Sequence, residues 1–200
     1  MSNNALILER TSDPAVSPAP VLPPHSSGDY PDLIRRHFHP HSAVAIVPAG
    51  AGRNAADVCE NIAAELAVSG NRVVIVSVDA LQRMIHVATP HETDCIPGRT
   101  PKVWLWPSAA AAQIKFFKSR VLEDPPGNWL DSLRLAFDAV LLDCPAVGTA
   151  PTAAQHAALA DDALLVVEAR RTTRQQIQRD QRALQSRGVK LAGCILMECK

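Results

Sequence analysis

Three short stretches of the chain hold residues that could do chemistry. The first is Gly50-Ala51-Gly52-Arg53-Asn54-Ala55, which follows an apolar run at 43–47 and leads into a helical pattern. Glycines let backbone come close to a phosphate, and a helix starting at once behind them offers unpaired N–H groups and a positive dipole end. Turns use glycine constantly, so a Gly-x-Gly by itself is a weak signal. The other two stretches each end in an acid. Asp79 follows the run 73–78, and Asp143 follows 139–142. A carboxylate just past a buried strand can hold Mg²⁺, directly or through water, beside a nucleotide. One such acid alone reads as a strand end dipped in solvent. Two of them beside a Gly-x-Gly loop bring a nucleotide site level with that plainer reading.

These stretches need elements to position them, and the pattern supplies them. Residues 43–47 predict a strand, and 54–69 a helix with Val58, Ile62 and Leu66 on one stripe and Gly70 as its stop. Val73-Val74-Ile75-Val76 is too apolar for a one-sided strand and fits a parallel sheet covered on both faces. Further strands are predicted at 102–106, 139–143, 163–167 and 190–196. Helices are predicted at 109–121, 129–137, 152–161 and 173–186. Alternating strands and helices with few hairpin signals mean an α/β fold with a doubly wound, mostly parallel sheet flanked by helices. In such a sheet ligands sit beyond the carboxyl ends of the strands, where all three stretches fall. The expected organisation is one domain, 31–200, opening with a short helix at 31–38. Before it, 1–30 reads as a flexible tail or tether, because Pro14, Pro18, Pro20, Pro23 and Pro24 rule out a helix or a central strand there.

Composition narrows the class. Two hundred residues with 47% hydrophobic and 20% charged side chains can bury one sizeable core. Twenty basic residues balance twenty acidic ones, so global charge gives no support to duplex binding by phosphate neutralisation. The five cysteines form no Cys-x-x-Cys pair, and an odd number argues against a closed disulfide framework; they read as reduced and mostly buried. No apolar run approaches the ~20 residues that span a bilayer, and residues 1–10 lack the basic-then-apolar order of a leader. The expected location is cytoplasmic.

The order of the loop, the helix, Arg72-Val73-Val74-Ile75-Val76-Ser77-Val78-Asp79 and then Phe137-Asp138-Ala139-Val140-Leu141-Leu142-Asp143-Cys144-Pro145 resembles the MinD/ParA class of P-loop ATPases. Within that class the chain looks most like the ATPase domain of the bacterial tyrosine kinases that govern capsule and exopolysaccharide export. Those proteins carry Phe/Tyr-Asp-x-Val-Ile-Ile-Asp-x-Pro-Pro, then a Leu-Val-Val strand followed by Thr-Thr-Arg, a helix and Gly-Val-x-x-x-Gly. Here the later part reads Leu165-Val166-Val167-Glu168-Ala169-Arg170-Arg171-Thr172-Thr173-Arg174, then Gly188-Val189-Lys190-Leu191-Ala192-Gly193. The likeness runs from about residue 40 to 197, and its second half is the more specific. It implies a P-loop nucleotide site at Gly50, Ala51, Gly52, Arg53, Asn54, Ala55, Asp79 and Asp143.

The departures from that family fall on the site. Its phosphate loop ends Gly-Lys-Ser/Thr-Thr, where this chain has Gly52-Arg53-Asn54-Ala55. A lysine reaches the β- and γ-phosphates as a point charge, and the longer, planar arginine is not its equivalent. Asn54 replaces the hydroxyl that ligates Mg²⁺. Pro48 stands where the class has a further signature lysine, and Ser77 replaces the first acid of its Asp-x-Asp segment. The asparagine that often reads adenine falls at Met197. Losing lysine, hydroxyl and one carboxylate together removes most transition-state charge stabilisation, and a few kcal/mol there slows a reaction by orders of magnitude. The expectation is a pseudo-ATPase without a catalytic residue or resident metal ligand, with ATP or ADP and Mg²⁺ as the only candidate cofactors. Tyrosine autokinase activity is not expected either, since Tyr30 is the one tyrosine.

Other residues admit two readings. His37, His39 and His41 alternate and could bind a metal if extended, but Pro40 and the lack of an acid or cysteine beside them suggest a solvated linker. Cys144 has no visible base partner and reads as a small packed side chain. Trp104 and Trp106 share one side of a short strand and mark either a contact surface or packing. Arg170, Arg171, Arg174, Arg179, Arg182 and Arg187 read as a solvated helix face with Ile177 and Leu184 turned inward, or as a basic patch for an acidic partner, lipid or DNA.

The leading expectation from the resemblance is a regulatory or scaffold subunit in bacterial exopolysaccharide, cellulose or capsule synthesis or export. Its partner would be a membrane-associated component of that machinery or an active homologue, with a homodimer possible and the protein peripheral at the inner membrane. A working ATPase switch that positions machinery on membrane or nucleoid, and a DNA- or lipid-binding module using the arginine face, are the alternatives.

Overall fold

The computed structural model describes residues 5–9, 30–51, 55–78, 95–106, 128–150 and 152–198. Its strands are β1 (Ala5–Glu9), β2 (Ser42–Pro48), β3 (Val73–Ser77), β4 (Ile96–Pro97), β5 (Val103–Trp106), β6 (Ala139–Asp143), β7 (Asp162–Glu168) and β8 (Leu191–Met197). The helices are α1 (Tyr30–His37), α2 (Ala55–Val68), α3 (Asn128–Ala136), α4 (Ala153–Ala157) and α5 (Arg174–Gln185). One sheet runs β1-β8-β7-β2-β6-β3-β5-β4. The six inner strands, β8 to β5, are parallel, while β1 and β4 lie antiparallel on the two edges. This is the mostly parallel, helix-flanked sheet that the alternating pattern predicts.

The apolar runs are continuous because both faces are covered. Ala45, Val47, Val76, Val140, Leu142 and Leu165 face a layer holding Leu130 and Leu133 of α3, Ala154 and Ala157 of α4 and Leu184 of α5. Val44, Ile46, Ile75, Leu141, Leu164 and Val166 face the opposite layer, where α1 places Leu33 and α2 places Val58, Ile62 and Leu66. Successive strand residues point to opposite faces, so a strand apolar throughout serves two cores at once.

Two expectations need correction. The first 30 residues are not all tail: residues 5–9 form β1 on the outer edge of β8. Leu6-Ile7-Leu8 is a short apolar run free of proline, and the prolines that suggested a tether begin only at Pro14, outside the described residues. The histidine stretch, read as a solvated linker, does expose His39 and His41. His37 closes α1, and His41 takes a left-handed backbone with φ 63. The helix expected at 152–161 is also shorter, since the chain leaves α4 after Ala157. The one expected at 109–121 lies outside the described residues.

The amino end of the sheet is tied together by polar side chains. Asp161 accepts the Ala43 N–H at 2.8 Å and a bond from Arg134 at 2.9 Å, and Asp138 accepts the Arg72 N–H at 2.7 Å. His41 Nδ1 lies 2.7 Å from the Arg134 carbonyl and 3.2 Å from that of Phe137. Arg72 spreads over the rings of Trp104 and Phe137, 5.5 and 5.4 Å from their centroids.

Candidate functional site

Strand β2 ends at Pro48, and the Ala49 N–H still bonds to the Val166 carbonyl at 2.8 Å, so the loop leaves from a fixed point. Gly50 turns there with φ 67, a conformation that side chains with a Cβ rarely take. Ala51 is exposed, and α2 begins at Ala55, which is buried. Of the expected loop residues, Gly50, Ala51 and Ala55 thus frame a strand–loop–helix turn at the carboxyl end of the sheet. Gly52, Arg53 and Asn54 lie outside the described residues, and so does Asp79.

Asp143 ends β6, half-buried, in register with Ile46 of β2 and Ser77 of β3. The chain then bonds back, with the Cys144 N–H donating to the Ile46 carbonyl at 3.1 Å. The carboxylate therefore stands on the same rim as the loop after β2. A strand–loop–helix turn and an acid on the neighbouring strand end are the two halves of a phosphate–Mg²⁺ site. By position they fit a nucleotide's phosphates and metal. By residue type the fit is poorer, because Arg53 and Asn54 stand where a point-charge lysine and a metal-ligating hydroxyl are needed.

Cys144 is 2% exposed, and burial together with the nearby Asp143 charge pushes its thiol far up. That is the opposite of an activated nucleophile and agrees with the packing reading. Cys59 and Cys194 are likewise free thiols, and burial raises Cys194 to about 12. Trp106 is buried and stacks on Trp129 at 5.6 Å, while Trp104 tilts against Phe137 at 5.4 Å, so both tryptophans are packing residues. Among the described residues no group of three or more His, Cys, Asp or Glu could hold a metal ion, the three histidines included.

Residue types alone did not point to two acids at this end. Glu168, the last residue of β7, is 5% exposed, with Arg171 3.4 Å away. Asp180 of α5 is 1% exposed and its Oδ2 accepts the Gly50 N–H at 2.6 Å. A signal existed for the second: Gln176, Asp180 and Leu184 are spaced four apart on one helix face, so an acid falls on the stripe that Leu184 turns inward. The arginines of this region do face outward. Arg171, Arg174, Arg179, Arg182 and Arg187 are exposed, whereas Ile177 packs against the core and Leu184 is fully buried.

No family model matches the chain, and no curated protein sequence matches it. Solved structures do. The BceF tyrosine kinase domain superimposes with a TM-score of 0.60 at 21% identity, covering 78% of this chain and 68% of its own. The kinase domain of Escherichia coli tyrosine kinase ETK gives 0.59 at 17% identity, covering 83% and 71%. The septum site-determining protein MinD from Pyrococcus horikoshii, solved with Mg-ADP, gives 0.53 at 19% identity, covering 76% and 68%. The chain has the fold of these MinD/ParA-class P-loop ATPases.

Proposed function

We propose that this protein is a catalytically degenerate P-loop ATPase-like subunit that regulates or scaffolds bacterial polysaccharide synthesis or export. The observation that carries the reading is the residue content of the loop between β2 and α2. A turn built to surround phosphate holds Arg53 and Asn54 in place of the lysine and hydroxyl that stabilise charge and bind metal. Asp143 remains on the rim, so an anion could still bind against backbone N–H groups without being cleaved. The fold shared with tyrosine kinase domains supports the pathway, and the exposed arginines of α5 offer a surface for an acidic partner. Among the described residues no helix is long and apolar enough to cross a membrane.

Calorimetry with ATP and Mg²⁺, paired with a phosphate-release assay, tests this reading. The expected result is no release above the buffer rate, whether or not nucleotide binds. Micromolar binding accompanied by turnover would overturn it in favour of the ATPase switch, the reading that the retained Asp143 favours.

A further inference from the structure

Helix α5 touches the loops after β2 and β6, and the nucleotide reading leaves those contacts unexplained. Its start is a reciprocal cap. Thr173 Oγ1 accepts the Gln176 N–H at 3.3 Å, while Gln176 Oε1 accepts the Thr173 N–H at 2.8 Å and the Thr173 hydroxyl at 2.9 Å. With its oxygen held, Gln176 turns Nε2 onto Gly50, where an added Cβ would meet it at 3.2 Å. One turn later Asp180 Oδ2 accepts the Gly50 N–H at 2.6 Å, and Oδ1 accepts from Arg179 Nε at 3.1 Å. Arg179 also reaches the loop after β6, with a terminal nitrogen 3.1 Å from where a Cβ on Gly148 would sit. Three neighbouring side chains of one helix thus meet the loop after β2 and the loop after β6.

We propose that Gln176, Arg179 and Asp180 form a latch that positions Gly50, where the chain leaves β2, against the loop after β6. They are positioning residues. A glycine-rich loop has many accessible conformations, and a buried acid accepting its N–H selects one of them. The cap holds Gln176 by its bonds to Thr173, which keeps its side chain packed beside Gly50. Asp180 is the one acid of α5 and is buried among outward-facing arginines, a placement that solvation of the helix does not explain. The latch extends the proposed function to the regulation of that same cleft. It rests on that reading only for the ligand it would serve.

Amide hydrogen exchange on the full chain tests it without any ligand. Asp180→Ala should speed exchange at Gly50 by about tenfold or more while Leu141 and Val166 keep their protection. Asp180→Asn, which retains an acceptor oxygen, should restore most of the loss. Unchanged protection at Gly50, or protection lost equally through α5 and β8, would overturn the latch. If Asp180→Ala fails to fold, Gln176→Ala decides: faster exchange at Gly50 supports the latch and no change sinks it. Titration with Mg²⁺-pyrophosphate forms a second arm. Weaker binding by Asp180→Ala supports the proposal, and tighter binding by Asp180→Asn would overturn it by making the acid a competitor for the loop. Absence of pyrophosphate binding in the native chain would count only against a retained phosphate site, which the proposed function does not require, leaving the exchange result to decide the latch.

Discussion

The two ends of the sheet use the same residue types for opposite jobs. At the amino end, Asp138 and Asp161 each accept a backbone N–H at the start of a strand, at 2.7 and 2.8 Å, and Arg134 and Arg72 cover them or the rings beside them. These acids fasten strand to strand. At the carboxyl end, Asp143 ends a strand with its side chain on the rim, and Asp180 accepts from the loop glycine Gly50. Here the buried acid Asp180 holds a loop residue rather than a strand. The contrast teaches that charge near a strand end says little by itself about function. What matters is whether the backbone it engages belongs to a strand or to a loop free to take other shapes.

The sharpest way to break the comparison is to disturb the amino end. Phe137 is 1% exposed, packed by Trp104 and covered by Arg72. Phe137→Ala should cost about 3–5 kcal/mol by urea denaturation, and a loss below about 1 kcal/mol would mean that this end is not the structural one. A smaller effect is expected from His37, whose imidazole is held below its ordinary 6.5 chiefly by burial. Asp162 opposes that shift, whereas Arg36, Lys190 and His39 add to it. The unfolded chain therefore takes up this proton at higher pH than the folded one. Stability from this group is complete above 6.5 and is lost as pH falls below it. His37→Gln should flatten that part of the stability–pH curve, and an unchanged slope would remove His37 from the account. The smallest effect belongs to Lys190, which lies 2.6 Å from Asp162 with its side chain 73% exposed. Its hydrogen bond with Asp162 raises the ammonium, so its contribution is present below the ordinary lysine range and is lost as pH rises through the raised value. Water screens so open a pair, and Lys190→Ala should cost less than about 1 kcal/mol in the same denaturation assay.

Much of this fold is legible in the sequence because buried parallel strands have little choice of residue. The run at 73–76 is apolar throughout and that at 139–143 at every position but the last, and β3 and β6 fall on them within a residue. The loop after β2 was legible as a turn, since Pro48, Gly50 and Gly52 interrupt the apolar run before the helical pattern begins, and the acids on later strand ends raised it above an ordinary turn. The latch was not. A helix reading Arg-Gln-Gln-Ile-Gln-Arg-Asp-Gln-Arg looks solvated all round, and only the four-residue spacing to Leu184 sets Asp180 apart. The first strand was hidden for a different reason: the later prolines dominate the composition of the segment around it. Local composition averages over neighbours, whereas strand pairing is decided residue by residue against a distant partner.

That first strand has a practical side. Residues 5–9 lie along β8 from Met197 to Gly193, sealing a margin whose amide and carbonyl groups would otherwise point sideways into water. An unsealed margin is a template for any passing chain with a few apolar residues to spare. Trimming the protein from its front to tidy it for expression would bare that template. The shortened molecules would then be prone to zip onto one another, a stickiness easily mistaken for physiological self-association.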